Sequence, residues 1–332
     1  MVFLGIDTSC DDTSIALVED GTRILSSIVS SQIDLHKAFG GVVPEIASRK
    51  HVELIGGLYA QVLEEAGLGG GEIDCLSVTA GPGLIGSVLV GLTFAKGLAL
   101  ALGKPFVAVN HIEAHALSIF LERKVEFPFI ALVVSGGHTV ILLMEEPCRF
   151  RVLGTTRDDA AGEAFDKIAK FLDIGYPGGR IIEEYAGKGR GNAVSFPRPM
   201  ANEPNFDFSF SGLKTAFITY VKKHGVREEN LSDILASFQE AVFDVLSLKV
   251  LKAAIHHKIS KVVVGGGVAS NGRLREVFLK KGLDSGVEVI FSSPRFCTDN
   301  AAMVTVAGHF HYARYGASFD LDSQGYSRMS LR

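Results

Sequence analysis

Two stretches of this chain repeat one local order, and that repetition constrains the fold more than any other feature. Apolar residues 2–6, a polar turn over 7–14, apolar residues 15–19, an Asp20-Gly21 turn and a third run over 24–30 make up the first. The second has apolar residues 129–134, the glycine turn Ser135-Gly136-Gly137-His138-Thr139, and runs over 140–144 and 151–153. Short apolar runs joined by short turns predict antiparallel strands. After the first set come a helix over 44–66, a strand over 75–80, a Gly81-Pro82-Gly83 turn, an apolar helix over 84–102 and a strand over 106–110. After the second come helices between 160 and 255, a strand over 261–264, a helix and a strand over 287–291; a last apolar helix starts near Asn300. A duplicated α/β fold follows. The 332 residues exceed one small core, and 47% hydrophobic content suffices for two buried sheets.

The net charge of −4 argues against a protein that coats nucleic acid generally. Local basic clusters remain (Arg273, Arg275, Lys280 and Lys281; Lys188 and Arg190), readable as a groove or as solvated surface. Cys10, Cys75, Cys148 and Cys297 are scattered and form no Cys-x-x-Cys, so neither a zinc ribbon nor a redox pair is expected. Free thiols and an N-terminus lacking a basic segment predict a cytoplasmic protein. The 84–102 stretch approaches membrane-span hydropathy. Lys96 in its interior and its recurring glycines predict a buried core helix instead, with no membrane partner.

The stretch His111-Ile112-Glu113-Ala114-His115 carries the sharpest chemistry. Residues i and i+4 share a helix face, so both imidazoles can hold one metal ion. Glu113 is rotated to the far side. A zinc peptidase of the His-Glu-x-x-His type places its acid next to the first histidine, and this order does not. The alternative is a histidine-rich helix start with no ligand. The turns at 7–14 and 135–139 can each grip a phosphate through backbone N–H groups and hydroxyls, or be ordinary hairpins. Gly265-Gly266-Gly267-Val268-Ala269-Ser270-Asn271 lacks the dinucleotide fingerprint spacing. It suits backbone passing flat against a ligand ring, or a strand-to-helix turn. Cys297-Thr298-Asp299-Asn300 brings a carboxylate to a helix N-terminus, where an N-cap is the other reading.

Six motifs in order along the chain resemble the universal family of tRNA adenosine threonylcarbamoyltransferases of the TsaD type, once described as O-sialoglycoprotein endopeptidases. They are Gly5-Ile6-Asp7-Thr8-Ser9-Cys10-Asp11-Asp12-Thr13, Gly41-Val42-Val43-Pro44-Glu45-Ile46-Ala47-Ser48-Arg49, Asn110-His111-Ile112-Glu113-Ala114-His115, Ser135-Gly136-Gly137-His138-Thr139, Phe208-Ser209-Phe210-Ser211-Gly212-Leu213-Lys214-Thr215, and Gly265 to Asn271. One departure is Gly178-Gly179-Arg180, where the family usually continues with Pro; it bears on Glu183.

The resemblance implies an actin-like ATPase (ASKHA) fold of two duplicated RNase-H-like domains with a central cleft. The domains are expected over 1–125 plus 302–332, carrying the His pair, and over 126–301, carrying the nucleotide-binding turns. It implies His111, His115 and Asp299 as ligands of one divalent metal, Fe(2+) favoured over Zn(2+). It implies Val134, Ser135, Gly136, Gly137, His138, Asp166, Gly179, Glu183 and Asn271 as contacts of an adenine nucleotide: threonylcarbamoyl-adenylate, ATP or AMP. The implied reaction transfers threonylcarbamoyl from that adenylate to the N6 amine of the adenine 3′-adjacent to the anticodon, in tRNAs reading codons that start with A. AMP is released, and no general base is assigned. Implied partners are tRNA, a TsaB-type paralogous actin-like subunit, a TsaE-type small ATPase and a separate synthase supplying the adenylate. Rival readings are an actin-like ATPase or sugar kinase, a metallopeptidase, and a non-catalytic scaffold of the same fold.

Overall fold

The computed structural model describes residues 1–316 and 321–329. In chain order the first sheet's elements are β1 (Val2–Asp7), β2 (Asp12–Glu19), β3 (Arg23–Ser31), α1 (Ile33–Lys37), α2 (Pro44–Ala66), β4 (Cys75–Gly81), α3 (Ile85–Leu102), β5 (Phe106–Asn110) and α4 (His111–Leu117). Then follow β6 (Phe129–Val134), β7 (Thr139–Glu146), β8 (Arg149–Thr155), α5 (Ala161–Leu172), α6 (Gly178–Ala186), α7 (Ser211–His224), α8 (Glu228–His256), β9 (Lys261–Gly265), α9 (Gly272–Ser285), β10 (Glu288–Phe291), α10 (Pro294–Cys297) and α11 (Ala301–Tyr315).

The first sheet runs β3-β2-β1-β4-β5 and the second, read in the same direction, β8-β7-β6-β9-β10. Third, second, first, fourth, fifth: the same order arises twice, the duplication that the sequence pattern predicts. In both sheets the first two strands are antiparallel, and the first and fourth are parallel. The chain divides into one compact unit of 1–127, 146–150 and 298–332 and a second of 128–145 and 151–297. The sequence boundary at 301/302 differs from this: residues 298–301, Asp299 included, belong with the first unit.

Strand β1 shows how period-two burial works when both faces are covered. Leu4 and Ile6 join a core with Ile55, Leu58 and Val62 of α2 and Leu92, Ala95 and Ala99 of α3. Phe3 and Gly5 face the other way, toward α11. The Phe3 ring packs edge-on to His309 and Tyr312 at 5.5 and 5.7 Å. A Cβ on Gly5 would collide with the Ala301 carbonyl oxygen and come within 2.6 Å of Thr305 Cγ2. Glycine is what lets the last helix lie this close to the first strand. In the second unit β6 gives Ile130, Leu132 and Val134 to a core with Phe165, Phe238 and Phe243.

Helix α3 departs from the expectation of a buried core helix. It is long and apolar enough to cross a membrane by length and composition, yet only 33% of it is buried. Ser87, Val88, Gly91, Leu92, Ala95 and Ala99 face inward. Ile85, Leu89 and Leu100 are exposed. Apolarity along a helix does not say how many of its sides the fold covers.

Gly5→Ala should overpack the β1–α11 contact and cost about 1–3 kcal/mol, read as a lower thermal midpoint. Gly41→Ala does not test this contact, since a Cβ there meets nothing.

Candidate metal centre and nucleotide cradle

Strand β5 runs into α4 with Asn110 as the hinge. Its side-chain oxygen accepts from Ile112 N at 2.9 Å and Glu113 N at 3.3 Å, an N-cap that fixes where the helix starts. From that start His111 and His115 share a face, both buried, with ring centroids 4.6 Å apart. Asp299 meets them there: its Oδ1 lies 3.1 Å from His115 Nε2 and 3.5 Å from His111 Nε2. Asn300, not Asp299, caps α11, its Oδ1 accepting from Met303 N at 2.9 Å. The carboxylate is thereby left for the imidazoles.

The spacing pattern alone does not reveal Asp7 in this role. Its Oδ1 accepts from Ser9 N at 2.9 Å, and its Oδ2 lies 3.3 Å from His111 Nδ1. A carboxylate on Nδ1 sets the ring so that Nε2 faces inward, the outer support that metal-bound histidines commonly carry. Thr8 donates to Ser87 O, Thr13 bonds His51 Nδ1, and Ser14 donates to Ile28 O and accepts from Ala301 N. These hydroxyls of the 7–14 turn are engaged inside the protein.

Two imidazole nitrogens and one carboxylate oxygen, all within 4.8 Å of one another, fit one divalent ion with open positions. The electrostatics point the same way. Burial pulls His111 down, yet the Asp299 and Asp7 carboxylates carry it up to about 10. Burial pushes Asp299 up, and the imidazoles outweigh it, holding it well below the usual carboxylate range. Burial, helped by Asp299, Asp11 and Asp7, pushes Asp12 up to about 7. A cation would relieve this crowding of carboxylates.

Glu113 occupies the opposite side of α4. It is 2% exposed, and its Oε2 lies 2.9 Å from His311 Nε2. It is not available as a base beside the His pair.

In the second unit Ser135, Gly136, Gly137 and His138 form the turn between β6 and β7. It is closed by Ser135 N to His138 O at 2.8 Å and His138 N to Ser135 Oγ at 3.2 Å. Val134 is buried just before it. Asp166 Oδ1 accepts from Gly178 N at 2.7 Å, and Glu183 Oε1 accepts from Gly272 N at 2.7 Å. Asn271 caps α9 through Leu274 N at 3.0 Å and donates to Gln239 Oε1 at 3.0 Å. Each of these three polar side chains holds a helix start.

The glycines separate into two kinds. Gly266 sits at φ +94 against Val134, and Gly178 packs against Phe165 O and Ala169 Cβ, so both are needed for the fold itself. A Cβ at Gly136, Gly137, Gly179 or Gly267 would meet nothing within 4 Å. Those four leave backbone open to a ligand.

The motif from Phe208 to Thr215 gains a partner that the sequence reading did not include. Asp158 accepts from both serine hydroxyls, Ser209 and Ser211, and from Phe210 N and Ser211 N. Lys214 pairs with Asp159 at 2.6 Å. Arg273 is taken by Glu240 and Glu276, Arg190 by Asp233, and Lys281 by Asp244. Those three charges of the basic clusters are engaged with carboxylates.

The sequence model of the family described as "TsaD: tRNA N6-adenosine threonylcarbamoyltransferase" matches residues 23–306. The chain belongs to this family. It is 49% identical to the tRNA N6-adenosine threonylcarbamoyltransferase of Clostridium perfringens (strain SM101) over 93% of this chain and 92% of that protein. The protein of that name from Syntrophus aciditrophicus is 50% identical over 100% and 98%. Among solved structures, T. kodakarensis HypF superposes with a TM-score of 0.65 at 14% identity, over 95% of this chain and 48% of that one. Component A of the Acidaminococcus fermentans (R)-2-hydroxyglutaryl-CoA dehydratase gives 0.57 at 17% identity, over 94% and 99%. These distant likenesses show a shared fold, of the actin-like ATPase class. This TsaD-family chain carries its His-x-Glu-x-His stretch on a seven-residue helix.

Asp7→Asn should leave the three ligands in place but weaken metal affinity about 10–100-fold, measured by competition with a chelating indicator. His115→Ala should abolish binding at this site. Equal affinity of Asp7→Asn and the parent protein would remove Asp7 from the assignment.

Proposed function

We propose that this chain transfers a threonylcarbamoyl group from threonylcarbamoyl-adenylate to the N6 amine of the adenine 3′-adjacent to the anticodon, in tRNAs reading codons that start with A. The observation that carries the reading is the His111–His115–Asp299 trio, two buried imidazoles and a part-buried carboxylate, in a chain whose near-full-length relatives bear that activity as their name. The new bond joins N6 to the carbamoyl carbon. The bond from that carbon to the adenylate oxygen breaks, AMP leaves, and the amine gives up a proton.

His111, His115 and Asp299 hold one divalent ion in this reading, Fe(2+) favoured over Zn(2+), and Asp7 orients His111. When bound, the ion supplies a Lewis acid for the threonylcarbamoyl carbonyl. Gly136, Gly137, Gly179 and Gly267 leave backbone open to the adenylate, while Asp166, Glu183 and Asn271 keep α6 and α9 in position around it. Rate is gained through positioning and through charge fixed before the reaction. A sugar kinase or simple ATPase of this fold has no use for the His pair. The acid that stands in the His-x-Glu-x-His stretch, Glu113, faces away from the pair and is bonded to His311, which does not suit a metallopeptidase.

The reading extends to partners. The net charge is −4, and Arg190, Arg273 and Lys281 of the basic clusters are already paired with carboxylates, so phosphate neutralisation by this chain alone is weak in this reading. Val52, Ile55, Gly56, Leu89, Val90, Thr93 and Phe94 line an apolar groove of about 580 Å³ between α2 and α3. A TsaB-type subunit covers that groove in this reading, and a TsaE-type ATPase joins in the cytoplasm.

Reconstitution tests the proposal. Purified chain, metal, threonylcarbamoyl-adenylate and substrate tRNA should give modified adenosine over many turnovers only with both partners present, as measured by nucleoside mass spectrometry. His115→Ala should lower the rate at least about 100-fold, and Leu89→Asp should abolish co-elution with the TsaB-type subunit. Undiminished transfer by His115→Ala would overturn the assignment of the trio. Full turnover by the single chain would overturn the partner requirement. Gly137→Val should weaken AMP binding in calorimetry with the circular dichroism spectrum unchanged; unchanged affinity would move the nucleotide elsewhere.

A further inference from the structure

We propose that Glu113, Cys148 and His311 form a second metal site, separate from the His111–His115–Asp299 trio, that takes one zinc ion through sulfur, nitrogen and oxygen. Three separate segments of the first unit build it: α4, the β7–β8 turn, and α11. One ligand atom from each residue lies within 4.8 Å of the other two. The set of thiolate, imidazole and carboxylate is one that zinc accepts, and a fourth position is left for water. Glu113 lies two residues from each histidine of the trio, so α4 turns it to the opposite side.

The Glu113 carboxylate marks the spot independently of the cluster. It is 2% exposed, and while Oε2 bonds His311 Nε2 at 2.9 Å, Oε1 is buried with no hydrogen-bond partner. A carboxylate oxygen taken out of water wants a donor or a cation. Cys148 is held near it by other means. Arg314 donates to Pro147 O at 2.8 Å and to Glu146 Oε1 at 3.0 Å, fixing the turn on α11. His311 also lines a cavity of about 200 Å³ together with Tyr315, Gly316 and Ser323.

Burial pulls His311 down, but its contacts with Cys148 and Glu113 carry it up to about 10. The site is a clasp holding the β7–β8 turn to the two helices, and it sits on the same helix that carries the His pair.

Cobalt(II) substitution tests this, because a thiolate on cobalt gives an intense near-ultraviolet charge-transfer band that histidine and carboxylate ligands do not. The full chain loaded with cobalt should show the band, and His111→Ala/His115→Ala should keep it. Cys148→Ala should lose it while Cys10→Ala retains it, which assigns the sulfur. Glu113→Gln should weaken cobalt binding at the band at least tenfold. Zinc should raise the thermal midpoint of the His111→Ala/His115→Ala variant and protect Cys148 from alkylation. No band in the parent chain, or a band that survives Cys148→Ala, would overturn the proposal. Loss of the band in His111→Ala/His115→Ala with the circular dichroism spectrum intact would overturn the separation of the two sites. Neither result bears on the transfer reaction, which is read in the reconstituted system.

Discussion

The contact of α11 with β1 is the constraint on which the chemistry of the first unit depends. Asp299 lies 184 residues beyond His115 in sequence, and it reaches the pair only because the helix that follows it is laid flat on the first strand. Gly5 permits the approach, the Phe3 ring packs on His309 and Tyr312, and the Ser14 hydroxyl accepts from Ala301 N at 2.8 Å. Each of these fixes the start or the height of α11. An error of one turn there would carry Asp299 about 5 Å from the imidazoles. The same helix delivers His311 to Glu113, so both side-chain clusters of this unit depend on one packing surface.

Helix α4 is the other half of that arrangement. It is only seven residues long, all of them buried, and it begins where the Asn110 cap says it must. Short helices are marginal by themselves, so its shape is imposed by the cap and by the elements packed on it. That is what a site needs: imidazoles locked by surroundings rather than by helix propensity. Its two faces then do different things, with His111 and His115 toward Asp299 and Glu113 toward His311.

Much of this was legible in the sequence, and the limits follow a physical line. Strand and helix order came from local periodicity, and the matched sheets came from its repetition. The His pair was readable because i and i+4 share a helix face whatever the rest of the chain does. Asp299 was nominated only through the family resemblance, because nothing in its neighbourhood says which distant element it will face. Asp7 appeared as a turn residue, and its reach to His111 Nδ1 depends on β1 and β5 both flanking β4 in the sheet. The glycines misled in a particular way. Gly265 to Gly267 read as one motif, yet Gly266 is spent on passing Val134, while Gly267 is left open. Composition could not separate these, since the same residue serves close packing and ligand approach. Helix α3 failed for a similar reason: hydropathy counts apolar side chains, but coverage is decided by what else the chain lays over them.

The carboxylates around the His pair show why stability and function are linked in this unit. Asp12 ionises near 4 in an unfolded chain and at about 7 in the fold, because burial comes first and Asp299, Asp11 and Asp7 add to it. A carboxyl raised in this way costs nothing at low pH, where both states are protonated. Stability is lost as pH rises from about 4 toward 7, where the unfolded chain has released its proton and the fold has not. Above that range the fold carries a full negative charge at a crowded place. A chain that keeps four aspartates, Asp7, Asp11, Asp12 and Asp299, in this neighbourhood accepts that cost in the metal-free state. A divalent cation bound to His111, His115 and Asp299 removes much of it, because the ion's charge offsets the mutual repulsion and binds only the folded form. The groups that make the first unit less stable when empty are the groups that would make it hold an ion tightly.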